Sequence, residues 1–270
     1  MPNQKVVLIT GASSGIGRST ARLLSQKGYK VFGTSRNPAI AEAISNVEML
    51  PLDVRSDDSV LACVKAVIND VGRIDVLVNN AAYELAGALE ESSIEEAKAQ
   101  FETNFFGIFR LVKAVLPFMR QEGQGLIINV SSLSGVSSIP FMGIYSASNF
   151  ALEGYTEALR LELKPFNIHV SLTEAGFVKT PMPDKRQVST AQLKVYEPWR
   201  QRAFNAIRDH EQKAPGPELV SQTILRIIAA KTPRLRYVIG PQAKLTTRLQ
   251  RFLPAWVYER GKRSTFRLDK

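Results

Sequence analysis

The chain has 270 residues, 44% of them apolar, with two histidines and one cysteine. That length carries one large α/β domain or two small ones with a core that needs no covalent staples; an internal disulfide framework is excluded, and the isolated His169 and His210 argue against a metal site. The net charge of +10 is localised, because residues 231–270 hold eleven Lys and Arg against Glu259 and Asp269; a basic tail on a nearly neutral body argues against a nucleic-acid-binding core.

The opening Met1-Pro2-Asn3-Gln4-Lys5 lacks the apolar core and cleavage site of a secretory signal. No apolar run approaches the roughly 20 residues that span a bilayer, so a soluble, cytoplasmic protein is expected. Residues 5–10 (Val6, Val7, Leu8, Ile9) form a continuous apolar run, the mark of a strand buried on both faces of a parallel sheet. A glycine turn follows, then a helical segment over about 17–28. The strand signal returns at 31–34, 47–51, 74–79, 126–130 and 168–172. Helical patterns at 59–71, 94–116 and 145–163 separate these runs, and Pro117 with the glycines of 123–125 is expected to close the second of them. Cys63, within the 59–71 pattern, reads as a small buried hydrophobe.

Between 179 and 217 the apolar pattern thins and Pro181, Pro183, Pro198 and Pro215 interrupt it; an irregular substrate lid is predicted there. A helix at 219–230 and a last strand at 235–240 follow. Strands alternating with helices at this pace predict one doubly wound α/β domain over residues 1–240, with 241–270 as a basic extension.

The turn Thr10-Gly11-Ala12-Ser13-Ser14-Gly15-Ile16-Gly17 joins the first strand to the first helix with G-xxx-G-x-G spacing. Glycines permit a tight turn, and the helix N-terminus beyond them offers N–H donors and partial positive charge to a diphosphate. At the end of the second strand an acidic residue would read an unphosphorylated ribose. Residues 31–40 contain no Asp or Glu, and Arg36 stands in that place, with Arg18 beside the last glycine also within reach. A guanidinium pairs bidentately with phosphate, which favours NADP(H) over NAD(H).

Together with Asp53-Val54, Asn79-Asn80-Ala81, Asn104, Ser131-Ser132 and Tyr145, this turn resembles the short-chain dehydrogenase/reductase family over roughly residues 4–240. The resemblance implies a Rossmann-type sheet of about seven strands, with helices on both faces. It also implies a homo-oligomer, dimer or tetramer, built on the long helices near 94–116 and 145–163. Tyr145 would be the general acid in carbonyl reduction and the base in alcohol oxidation; Ser132 would polarise the substrate oxygen, its spacing to the tyrosine fitting better than that of Ser131. Asn104 would order a relay water. Asp53 and Val54 would flank the adenine. Gly11, Ser13, Ser14, Gly15, Ile16, Gly17, Asn79 and Ala81 would line the cofactor groove, and Gly176, Val178 and Thr180 would form its nicotinamide side.

Three positions depart from the family pattern: Ala82 replaces a glycine, Ala175 a proline and Asn149 a lysine. The third bears on mechanism. Residues 145 and 149 lie four apart on one helical face, so the family ammonium would favour the tyrosinate, whereas an asparagine can keep a ribose contact but supplies no charge. Three explanations stay open: an engineered substitution, a natural variant with another cation nearby, or a chain that binds NADP(H) as a sensor without turnover. Reduction should suffer less than oxidation, because it needs Tyr145 protonated.

Tyr83, Leu133, Phe141, Met142, Phe177 and Met182 are expected around a small-molecule carbonyl or alcohol substrate, and their character suits a hydrophobic one, steroid-, retinoid- or lipid-like. In the tail, Leu245, Leu249 and Phe252 fall at helical spacing with Lys244, Arg248 and Arg251 interleaved, and Leu253, Trp256 and Val257 follow. The stripe fits weak contact with an anionic membrane surface or a helix folded onto its own domain or a partner subunit. Pro254 interrupts it and favours packing.

Overall fold

The apolar run at the start of the chain forms β1 (Val6–Ile9), whose four residues are all buried. Val6 and Leu8 enter one apolar cluster, while Val7 and Ile9 enter another on the opposite face. Burial on both faces is why the run does not alternate. The structure, a computed structural model, describes residues 4–269, and among them all side chains except those of residues 241, 242 and 251.

Six more strands join β1 in one parallel sheet: β2 (Lys30–Ser35), β3 (Val47–Pro51), β4 (Val76–Asn79), β6 (Gly125–Ser132), β7 (Ile168–Ala175) and β9 (Arg236–Ile239). Their spatial order is β3-β2-β1-β4-β6-β7-β9. The chain builds outward from β1 to β3, then returns to the other side of β1 with β4. Ligands of doubly wound sheets bind at this reversal, outside the carboxyl ends of the strands.

On one face lie α2 (Asp57–Val71), α4 (Gly107–Gln121) and α5 (Gly143–Leu163); on the other lie α1 (Gly15–Gln26) and α7 (Glu218–Ala229). Their ends carry ordinary stop signals. The Ser56 hydroxyl accepts from the Ser59 N–H at the start of α2, and Gly72, at φ 76°, ends it in the left-handed conformation.

Three expectations need correction. The helix predicted over 94–116 is α3 (Ile94–Phe101), a widened π turn at Glu102–Phe106, and then α4, which runs through Pro117 to Gln121. Proline kinks a helix without always ending it, and the stop here falls to Gly123 at φ 63°. The predicted lid is also more ordered than its prolines suggested. Its two-residue strand β8 (Gln187–Val188) pairs with β5 (Leu85–Ala86) from before α3, and α6 (Glu197–Gln212) follows with Pro198 in its first turn. The buried stripe of α6 is Arg200, Ala203, Ala206 and Ile207, too small and too polar to register as an apolar period.

The third correction concerns the tail. Pro254 divides it into α8 (Pro241–Phe252) and α9 (Ala255–Thr265). α8 does not pack through its apolar stripe: Ala243 is buried, whereas Leu245, Leu249 and Phe252 are exposed.

Candidate active site

β1 ends in the glycine turn, which is tied to the end of β4. The Thr10 hydroxyl accepts from the backbone N–H groups of Asn80 and Ala81, at 2.9 Å each. The Asn80 amide donates to the carbonyls of Thr10 at 2.9 Å and Gly11 at 3.1 Å. Gly11 takes φ 67° and Gly15 φ 54°, so each favours glycine for its backbone. Gly17 is required for a different reason: a Cβ there would lie 2.3 Å from the Gly11 carbonyl oxygen. α1 begins without a side-chain cap from Ser14 and with no acid in its first turn. Its positive end and first N–H groups are thereby left to the cavity that Ser13, Ser14, Gly15 and Ile16 line.

That cavity, of about 550 Å³, runs from the turn past the ends of β2, β6 and β7 to α9. At one end stand Arg36, Asp53 and Val54. Arg55 grips the Asp53 carboxylate at 2.7 and 3.0 Å; its hydrogen bonds, opposed by partial burial and helped by the charge of Arg36, pull the carboxyl down to about 2. Ser35, beside Arg36, has a buried hydroxyl without a partner among the described residues. Arg18 is committed elsewhere, to the backbone and carboxylate of Glu42 at 2.6 and 2.9 Å, so Arg36 alone of the two faces the cavity.

Midway along the wall, Tyr145 projects from the first turn of α5 near Ser132, the last residue of β6. Burial, reinforced by the nearby Glu84 carboxyl, pushes the Tyr145 phenol up to about 12, and Ser132, Ser134 and Asn149 only partly oppose the rise. The phenol therefore holds its proton at neutral pH. Ser131 is diverted, its hydroxyl donating to Glu153 at 3.0 Å, whereas the Ser132 hydroxyl, which accepts from the Ser134 N–H at 3.1 Å, stands beside the phenol. The Asn149 amide lines the cavity but donates to the Tyr145 backbone carbonyl at 2.9 Å.

Ala81, Gly176, Val178 and Thr180 lie in the wall, as do Tyr83, Leu133, Met142, Phe177 and Met182. Four expected site residues stand behind it. Gly17 is buried against Gly11, and Asn79 donates to Asn129 at 2.9 Å. Asn104, turned inward by the π turn, accepts from the Tyr83 N–H at 3.1 Å and donates to its carbonyl at 3.0 Å. Phe141, at φ 61°, packs edge-on against Tyr196 and Phe204.

Several wall residues escaped the sequence reading. Glu84 is part-buried beside Arg186, 2.7 Å away, which also pairs with Glu211. From the tail come Thr246, Lys262, Thr265 and Phe266. Burial lowers the Lys262 ammonium to about 8, and it donates to Ser137 at 2.9 Å. Glu84, next to Tyr83, and Ser134, two residues past Ser132, had a local signal; Glu211 and the tail residues arrive from sequence-distant elements.

The model of the short chain dehydrogenase family matches residues 5–190. The chain belongs to the short-chain dehydrogenase family. A 3-ketodihydrosphingosine reductase of Bacteroides thetaiotaomicron is 45% identical over 239 residues, 88% of each chain. The bovine (Bos taurus) retinol dehydrogenase 8 is 39% identical over 252 residues, 86% of this chain and 80% of that one. Among solved structures, a short-chain dehydrogenase/reductase of Burkholderia phymatum in complex with NAD superposes with a TM-score of 0.81 at 28% identity, covering 92% and 93% of the two chains. As a short-chain dehydrogenase, the chain is an oxidoreductase.

Proposed function

We propose that the chain reduces the carbonyl of a hydrophobic, lipid-like substrate with NADPH. The observation that carries this reading is Tyr145, a protonated phenol held beside Ser132 between a diphosphate-ready helix end and an apolar wall. The residues present fit a nicotinamide dinucleotide. The uncapped start of α1 suits the diphosphate, the unpartnered Ser35 hydroxyl and Arg36 suit a 2′-phosphate, and Asp53-Val54 suit the adenine. When bound, the dinucleotide supplies the hydride. Tyr145 donates its proton to the carbonyl oxygen, Ser132 holds that oxygen by hydrogen bonding, and the apolar wall excludes water.

Leu133, Met142, Phe177 and Met182 support a hydrophobic substrate, and the names of the sphingosine- and retinol-handling relatives agree with that class. For assembly we propose a cytoplasmic homo-oligomer through the π turn, α4 and α5, where Phe106, Phe109, Phe150 and Leu161 are exposed large apolar groups. Asn149 favours a second reading, an NADPH-binding sensor without turnover, because its amide is engaged by the helix backbone and brings no charge to the phenol.

The test is NADPH oxidation with long-chain ketones, 3-ketodihydrosphingosine among them, by the parent chain and by Tyr145→Phe. Turnover that Tyr145→Phe reduces by about a thousandfold or more supports the enzyme; NADPH binding without turnover supports the sensor. Arg36→Ala should weaken NADPH about 10–100-fold and leave NADH nearly unchanged. Tighter binding of NADH by the parent refutes the cofactor assignment.

A further inference from the structure

The tail presents two outward stripes on one helix. At 3.6 residues per turn, Ala243, Thr246 and Thr247 share the side of α8 that faces the domain. Ala243 is fully buried, its methyl being the nearest group to a Cβ placed on Gly176, and Thr246 lines the cavity. Leu245, Leu249 and Phe252 project from a different side. Lys244 and Arg248 are exposed on a third, between the two; Arg251 shares their helical position, and its side chain lies outside those described. Beyond the stripe, at the Pro254 break and the start of α9, Leu253 and Trp256 are exposed as well. Phe252 is 79% exposed and Trp256 68%. Residues 241–256 contain Lys244, Arg248 and Arg251 and no acid.

An apolar stripe flanked by cations, displayed outward by a helix whose third side is anchored to the protein, is the geometry of a helix lying in a bilayer interface. We infer that α8 and the start of α9 dock the enzyme on an anionic lipid bilayer, with Leu249, Phe252 and Trp256 entering the acyl region and Lys244 and Arg248 meeting lipid phosphates. Charge decides against a second copy of this chain. A two-fold contact through the stripe would set Lys244 and Arg248 near their own counterparts, with no carboxylate in residues 241–256 of either copy to offset them. The docked helices also wall the cavity through Thr246 and Lys262, which places the substrate site next to the lipid phase. The dock goes beyond the proposed reaction and does not depend on it.

Trp256 is a built-in reporter, since the chain's other tryptophan is Trp199. A Trp199→Phe chain is mixed with phosphatidylcholine vesicles containing about 30% phosphatidylglycerol, and with pure phosphatidylcholine vesicles. Expected are sedimentation with the anionic vesicles, a blue shift of Trp256 emission, quenching by brominated acyl chains, and release at about 0.5 M salt. Leu249→Asp combined with Phe252→Asp should weaken vesicle binding by about tenfold or more, with NADPH binding and Tm retained because both side chains are exposed. The inference is overturned if anionic vesicles leave the protein in solution, if it sediments while Trp256 emission stays unshifted and unquenched, or if the double variant binds like the parent. A fall in oligomer mass in that double variant would assign the stripe to a second copy instead, and would equally overturn the lipid dock.

Discussion

Asn149→Lys restores the ammonium that the family pattern places one turn after Tyr145. In this chain the phenol sits at about 12, raised by burial and by Glu84, so it is a competent proton donor and a poor base. A unit charge about 4–5 Å from the hydroxyl stabilises the tyrosinate by about 3–4 kcal/mol at an effective dielectric near 20, or about two to three pKa units. Asn149 is 6% exposed, so the ammonium's own desolvation takes back a share, leaving about one to two units. The phenol should then titrate near about 10. The assay is the initial rate of alcohol oxidation with NADP⁺ and of ketone reduction with NADPH across the range from about pH 6 to 10. Below the phenol's pKa the tyrosinate fraction rises about tenfold per pH unit, so parent oxidation should climb throughout that range without levelling. The variant should oxidise about 10–100-fold faster at each pH below its own bend near about pH 10, while reduction gains far less. Equal oxidation rates in the two proteins, or equal stimulation of both directions, would refute the account of the missing charge.

Gly17→Ala should cost about 1–3 kcal/mol and lower Tm by several degrees, since its methyl meets the Gly11 carbonyl oxygen at 2.3 Å; thermal unfolding checks it, and an unchanged Tm counts against the close approach. Glu174 is buried in β7, and desolvation, helped by the Glu153 charge and opposed by Arg236, raises its carboxyl to about 7 from 4.5. Folding thus favours its protonated form. Its contribution is greatest below about pH 4.5 and is lost as pH rises toward 7. Glu174→Gln should flatten that part of the stability–pH curve by about 1–3 kcal/mol, measured by urea denaturation at several pH values. Burial pushes the Cys63 thiol up to about 11, so a disulfide reagent at pH 8 should leave it unmodified in the folded protein and label it within minutes in urea; native labelling at the urea rate would contradict its burial.

The sheet was legible in the sequence because a strand segment buried on both faces reads as a continuous apolar run, as β1, residues 76–78 of β4 and residues 126–128 of β6 do. The glycine turn was legible because the left-handed backbone at Gly11 and Gly15 favours glycine and the crowding at Gly17 requires it. Tyr145 and Ser132 were marked by the resemblance to the family; one lies in the first turn of a helix and the other ends a strand. α6 was hidden because Ala203 and Ala206 bury too little area to leave a period. The Arg186 pairing with Glu84 and Glu211, and the approach of Lys262 to Ser137, were hidden for a different reason. They join residues far apart in the chain, and charged side chains carry no periodic mark of a partner.

Asparagine at 149 was plain from the sequence, but its amide's hydrogen bond to its own helix, and the carboxyl that Glu84 brings toward the phenol, were decided by folding. The tail divides in the same way. Its stripes of leucine, phenylalanine and basic residues follow from 3.6-residue spacing alone. Which stripe turns inward was settled only when Ala243 met the loop at Gly176, because a helix buries the face that fits its neighbour most closely, and here small residues fit where large ones could not.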